Sequence, residues 1–157
     1  ELGIPYHRMT TTDAGLRIEY FRDGDYIRVY AVPSAHPTLA YTPLGGYPHL
    51  GYLIRFGRWT VYHAGDCAPY PDLAARLRPY NVTVALLPIG DKNFSPSQAA
   101  QLALDIDAKW IIPMHYGTFK LSFESLDEPE RWLRELALEK RLASRVRILE
   151  EGVPERF

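Results

Sequence analysis

The chain has 157 residues, 46% of them hydrophobic and 24% charged, which is the size and balance of one ordinary globular domain with a single core. Its charges nearly cancel, at a formal net of −1, so no global field points to nucleic acid or an anionic membrane as a partner. Cys67 is the only cysteine, which excludes an intrachain disulfide and fits a reducing compartment, by default the cytoplasm.

In chain order, the opening Glu1-Leu2-Gly3-Ile4-Pro5 has no initiator Met and no basic segment followed by an apolar stretch. The expectation is a cleaved or truncated polypeptide without a signal peptide. No apolar run along the chain reaches the length of a transmembrane helix. Asp23-Gly24 is a turn signal, and Tyr26 to Val32 alternates and is rich in β-branched and aromatic residues, which predicts a strand ending at Pro33. The stretch Thr38 to Pro48, with Pro43 and Gly45-Gly46, cannot continue a ladder and reads as a surface loop. Leu50 to Phe56 and Trp59 to His63 are two strand-like runs joined at Gly57-Arg58, a hairpin by turn chemistry and spacing. The second run feeds directly into Ala64-Gly65-Asp66. Beyond it, Pro71 to Leu77 predicts a short helix and Val82 to Leu87 a strand buried on both faces. Ser95-Pro96-Ser97-Gln98 is a helix start, with Ser95 as N-cap, Pro96 at the first helical position and Gln98 completing a capping box, and that helix runs to about Asp105. Trp110 to Met114 is a buried strand that stops at His115, followed by an amphipathic helix from Glu128 to Lys140 and a last strand from Val146 to Leu149. The first part reads as a mainly antiparallel meander and the second as alternating strands and helices, an α/β pattern.

Functional groups in α/β sheets concentrate where strands end, because the loops there are exposed while their roots are held by the core. Three positions satisfy this: His36 after the strand ending at Pro33, Asp66 after Tyr62-His63-Ala64-Gly65, and His115 after Ile112-Pro113-Met114. Two imidazoles and a carboxylate are a ligand set for zinc, manganese or iron, and the carboxylate can bridge two ions. Gly65 removes a side chain and lets the backbone turn to aim Asp66. Taken singly, a strand-end histidine is more often a hydrogen-bonded residue and an Asp after Gly more often a turn residue. The joint occurrence carries the weight.

The ordered strings Val61-Tyr62-His63-Ala64-Gly65-Asp66, Val84-Ala85-Leu86-Leu87-Pro88-Ile89-Gly90-Asp91 and Ile112-Pro113-Met114-His115-Tyr116-Gly117-Thr118-Phe119 resemble the second half of metallo-β-lactamase-fold hydrolases. The branch they are most similar to contains the L-ascorbate-6-phosphate lactonase-like proteins and N-acylphosphatidylethanolamine phospholipase D, and Pro33-Ser34-Ala35-His36 resembles the segment of the phospholipase branch that supplies a middle histidine ligand. The resemblance runs from about Asp25 to Gly152. It implies an αββα sandwich, with two sheets face to face and helices outside, of which residues 1–157 form the C-terminal half of one domain. It also implies two divalent ions, zinc first and manganese or iron as alternatives. His36 would serve one ion, His115 the other, and Asp66 would bridge both. Asp66 and His115 would thereby be catalytic, a hydroxide bridging the metals being the nucleophile towards a small ester, lactone or phosphodiester. Cys67 would be a small neighbour of the site and not the attacker.

One departure bears on completeness. Family members carry a His-x-His-x-Asp-His cluster in the first half, and no two of His7, His36, His49, His63 and His115 stand two apart. The chain alone is expected to be inactive, its missing N-terminal half completing the centre from the same protein or from a separate chain. His63 is a candidate second neighbour to Asp66, with a buried hydrogen-bonded histidine as an equal alternative. Asp91-Lys92-Asn93, at the end of a buried strand, could contact an anionic substrate, although a solvated turn is the plainer reading, and Tyr116 could line the pocket. The charges of the last helix alternate in sign, as on a solvated face. Two other classes stand beside the hydrolase: a nuclease of the same fold, for which no basic stripe is visible, and a non-catalytic assembly module. The partner expected is a small-molecule substrate, with a homo-oligomer left open.

Overall fold

The computed structural model describes residues 3–90, 92–115, 142, 145–150 and 152–157. The expected helix from Glu128 to Lys140 lies outside the described residues, as do Asp91 and Tyr116. Six strands form one sheet in sequence order: β1 (Arg17–Arg22), β2 (Asp25–Pro33), β3 (Leu50–Phe56), β4 (Trp59–His63), β5 (Val84–Pro88) and β6 (Trp110–Met114). The antiparallel meander and the α/β part are therefore one continuous sheet. Pairing is antiparallel from β1 to β4 and parallel from β4 to β6.

The turns follow from residue chemistry. Asp23 and Gly24 adopt φ of 52° and 90°, the left-handed pair that a two-residue hairpin needs to match strand twist. Between β4 and β5 the chain forms α1 (Leu73–Leu77) and a 3-10 turn from Arg78 to Tyr80; the helix starts two residues later than the sequence pattern suggests, because Asp72 is left-handed at φ 67°. Between β5 and β6 lies α2 (Pro96–Asp105), which opens with the expected capping box: Ser95 Oγ accepts from Gln98 N at 3.3 Å, and Gln98 Oε1 accepts from Ser95 N at 2.9 Å. A cap of this kind contributes about 1 kcal/mol. The expected strand from Val146 to Leu149 is reduced to a single parallel bridge, Ile111↔Val146, held by Arg145 O and Arg147 N on the backbone of Ile111. β1 is an addition that the sequence pattern did not supply.

Both helices cover one face of the sheet. Leu53, Tyr62, Ala85 and Ile111 lie in one register row and join Leu73 and Leu77 of α1 and Ala99, Leu102 and Ala103 of α2 in a single core cluster. Burial of each large apolar side chain stabilises by about 1.5–3 kcal/mol. The opposite face carries Val29, Ile54, Val61, Val84 and Trp110 in one row and Ala31, Tyr52, His63, Leu86 and Ile112 in the next. That face is also apolar, yet most of its members are only partly buried.

Strand direction positions everything that follows. Since β2 is antiparallel to β3 and β3 to β4, β2 runs the same way as β4, β5 and β6. Their C-terminal ends fall on one edge of the sheet. The segments after β2, β4, β5 and β6, bearing His36, Asp66, Asn93 and His115, emerge there together.

Candidate functional site

At this edge Asp66 and His115 meet: His115 Nε2 lies 3.0 Å from Asp66 Oδ1, with the side chains 41% and 47% exposed. Two left-handed backbone turns aim them. Gly65 has φ +66°, and a Cβ there would stand 3.1 Å from the Leu50 carbonyl, so only glycine fits without displacing the start of β3. His115 itself has φ 65°, a conformation uncommon for side chains other than glycine and concentrated at functional positions.

A second shell of contacts holds the pair. Asn93 Nδ2 lies 3.2 Å from His115 Nδ1. Asn93 is 8% exposed, and its Oδ1 is buried without a hydrogen-bond partner among the described residues. Ser34 Oγ donates to the Asp66 carbonyl at 2.9 Å, and Ala68 N donates to Ala35 O at 2.8 Å. These bonds stitch the segment before His36 onto the segment that carries Asp66. Tyr70 continues the seam, its hydroxyl donating to Pro33 O at 2.7 Å, and burial pushes that hydroxyl above the usual tyrosine range.

His36 is partly buried, and its Nδ1 has no hydrogen-bond partner among the described residues. Its ring stands edge-on to His49, with centroids 5.5 Å apart. It does not touch Asp66 or His115, and among the described residues no group of three or more His, Cys, Asp or Glu side chains stands ready to hold a metal ion. In kind, the donors fit a divalent cation: a carboxylate and an imidazole in contact, and a second imidazole, His36, after the strand that ends at the same edge. In number, they are part of a set.

His63 lies on the face of the sheet opposite Tyr62, is exposed, and accepts a hydrogen bond from Gly65 N on Nδ1 at 3.1 Å. It braces the glycine that aims Asp66, instead of contacting the carboxylate. Lys92 is exposed. Cys67 is fully buried, donating to Ala68 O at 3.3 Å, which suits a packing residue better than a nucleophile. Two participants are not assigned to the metal centre from sequence. Asn93 reads there as part of a solvated turn, whereas the backbone bonds Asn93 N to Gly90 O and Gly90 N to Phe94 O turn it inwards. His49 had one signal, its place directly before β3, opposite the end of β2.

A cleft of about 430 Å³ runs between α1 and α2, with Tyr70, Leu73, Phe94 and Gln98 among its walls; Asp66 and His115 do not line it. Its far end is tied by Arg78 Nε donating to Asp105 O at 2.7 Å. No helix among the described residues is long and apolar enough to cross a membrane.

Residues 3–116 match the family model of the beta-lactamase superfamily domain. The chain is 42% identical over 100 residues to a UPF0173 metal-dependent hydrolase of Rubrobacter xylanophilus, covering 62% of this chain and 41% of that protein. It is 37% identical over 122 residues to a UPF0173 metal-dependent hydrolase of Pyrobaculum aerophilum, covering 77% and 50%. Among solved structures, Igni18, a metallo hydrolase from Ignicoccus hospitalis, superposes with a TM-score of 0.66 at 23% identity over 92% of this chain and 58% of that one. The chain spans half or less of the length of these two curated relatives. With a mixed sheet, helices on one face and the site at the shared strand edge, the chain belongs to the beta-lactamase superfamily.

Proposed function

We propose that this chain is the C-terminal half of a metal-dependent hydrolase domain acting on a small ester, lactone or phosphodiester. The observation that carries the reading is the contact between Asp66 and His115 at the common strand edge, in a family whose matched relatives are metal-dependent hydrolases. Asp66, His115 and His36 would hold part of a pair of divalent ions, zinc first, with Asp66 between them. When bound, such ions lower the pKa of water towards neutrality and polarise a carbonyl or phosphoryl oxygen.

The chain's own residues do the positioning. Gly65 and the seam from Ser34 to Ala68 fix the Asp66 carboxylate, and the turn at His115 brings its Nε2 to the same place. The cleft between α1 and α2 has the size of a small-molecule site. Its apolar floor of Leu73 and Phe94 suits the uncharged arm of a substrate.

The remaining ligands come, in this reading, from an N-terminal half bearing the His-x-His-x-Asp-His cluster. Two facts support it: the match takes in only 41% and 50% of the length of two curated relatives, and the apolar face of Val29, Ile54, Val61, Tyr52 and Leu86 is one that no described helix covers. A face of this kind in a sheet is normally packed on a second layer.

The test is reconstitution of the full-length protein with zinc, followed by assay of a lactone and a model phosphodiester. About two ions per protomer and turnover of one substrate class are expected, with Asp66→Ala losing both metal and turnover. Undiminished turnover in Asp66→Ala would overturn the role of Asp66. The absence of a three-donor group among the described residues favours one rival, an assembly module, which predicts no metal retained by the full-length protein.

A further inference from the structure

Asn93 is more than nine-tenths buried, yet among the described residues its carboxamide oxygen has no hydrogen-bond partner. Its other end, Nδ2, is 3.2 Å from His115 Nδ1, and the far side of that same ring, Nε2, is 3.0 Å from Asp66 Oδ1. The carboxamide is held there by backbone. Asn93 N donates to Gly90 O at 3.0 Å, Phe94 N to Pro88 O at 3.1 Å, and Ile89 N to Met114 O at 2.9 Å, the residue before His115. A buried amide group without a partner is costly, and packing alone would be served by an apolar residue of the same shape.

A neutral imidazole has one N–H and one lone pair, and whatever faces one nitrogen decides the state of the other. With Asn93 Nδ2 donating to His115 Nδ1, the ring proton sits on Nε2 and is donated to Asp66. The two side chains then satisfy each other, and neither presents a lone pair to a cation along that line. Turning the carboxamide by 180° exchanges its oxygen and nitrogen with almost no change of shape. Oδ1 would then accept from Nδ1–H, and Nε2 would be left with its lone pair free. The presently unpartnered oxygen is the group this second arrangement requires.

We propose that Asn93 is a positioning residue that selects the tautomer of His115, donating to Nδ1 when Asp66 and His115 are paired and accepting from it when Nε2 is needed for a divalent cation. The inference rests on the metal-hydrolase reading for its purpose, but not for its geometry. An aspartate at 93 could only accept, and would hold His115 in the ligating tautomer. A leucine could do neither. Asparagine is the residue of this shape that can do both.

The experiment uses the full-length protein with its complementary half, as wild type, Asn93→Asp and Asn93→Leu, with folding checked by circular dichroism. In metal-free protein, ¹⁵N shifts of the His115 ring should report an Nε2–H population in wild type and a move to Nδ1–H in Asn93→Asp. Zinc affinity, measured by competition with a chromophoric chelator, should fall about 10- to 100-fold in Asn93→Leu and be kept or tightened in Asn93→Asp. An unchanged His115 tautomer in Asn93→Asp, or zinc binding by folded Asn93→Leu within about twofold of wild type, would overturn the proposal. If Asn93→Leu fails to fold, the Asp variant and the ring shifts decide. Should wild type bind no zinc, the hydrolase reading fails by itself, and the metal-free tautomers still decide the role of Asn93.

Discussion

The two ends of the sheet obey different rules. At the β1–β2 end the strands are antiparallel and nearly every residue of β1 is exposed, with Tyr20 at 52% and Phe21 at 74%. Order there comes from hairpin geometry and a surface network: Arg28 Nε donates to Glu19 Oε1 at 3.0 Å and to the Tyr26 hydroxyl at 2.6 Å. At the β4–β6 end the strands are parallel, crossover helices bury the face they cover, and Leu87, Pro88 and Ile89 are enclosed. Parallel pairing has a second consequence: every strand ends on the same edge, so side chains far apart in sequence arrive together. β2 joins them because two reversals restore its direction. Chemistry gathers at the edge that topology makes common, and the hairpin end is left to solvent or to another layer.

That contrast can be broken by matched substitutions. Phe94 is 1% exposed beneath the cleft and beside Asn93, so Phe94→Ala should cost about 3–5 kcal/mol in urea unfolding. Gly65→Ala should cost about 1–2 kcal/mol, from the left-handed φ and the close Leu50 carbonyl. It should also loosen Asp66, so metal affinity is expected to fall with stability. Among the described residues the buried Tyr62 hydroxyl has no nitrogen or oxygen partner, and burial first, with the Cys67 thiol and Tyr70 adding to it, pushes it well above its ordinary value of about 10. Tyr62→Phe is accordingly expected to be neutral or stabilising by up to about 1 kcal/mol. The raised value makes a pH prediction with a definite sign. As pH rises past about 10, the unfolded tyrosine loses its proton while the buried one keeps it, so wild-type stability falls there and Tyr62→Phe should fall less steeply. Phe21→Ala, in the exposed hairpin, should change stability by less than about 0.5 kcal/mol. A Phe21 effect as large as that of Phe94 would show that the two ends are not separate regimes.

Much of the edge is legible from residues alone, because local chemistry and fold agree there. Asp23-Gly24, Gly57-Arg58 and Ser95-Pro96-Ser97-Gln98 form the turn, hairpin and cap that their side chains favour. Asp66 and His115 end the strands they were expected to end. What is not legible has physical reasons. β1 escapes because Arg17, Glu19 and Arg22 face solvent with their apolar neighbours, so its alternation marks no buried face. Val146 to Leu149 has the composition of a strand, but ladder formation is decided by the neighbour it meets, and among the described residues that amounts to one bridge. Asn93 looks like a turn residue by type, and it is the backbone bonds of Gly90, Asn93 and Phe94, including the return of Phe94 N to Pro88 O, that turn it inwards. His36 lies at the expected edge yet apart from the other two donors.

The central claim is that Asp66 and His115 share one cation position. Crystals of the full-length protein grown with zinc and measured at the zinc absorption edge would test it directly. The account predicts an anomalous peak about 2.0–2.2 Å from both Asp66 Oδ1 and His115 Nε2, in place of their present 3.0 Å contact. Zinc bound elsewhere, with that contact intact, would contradict it.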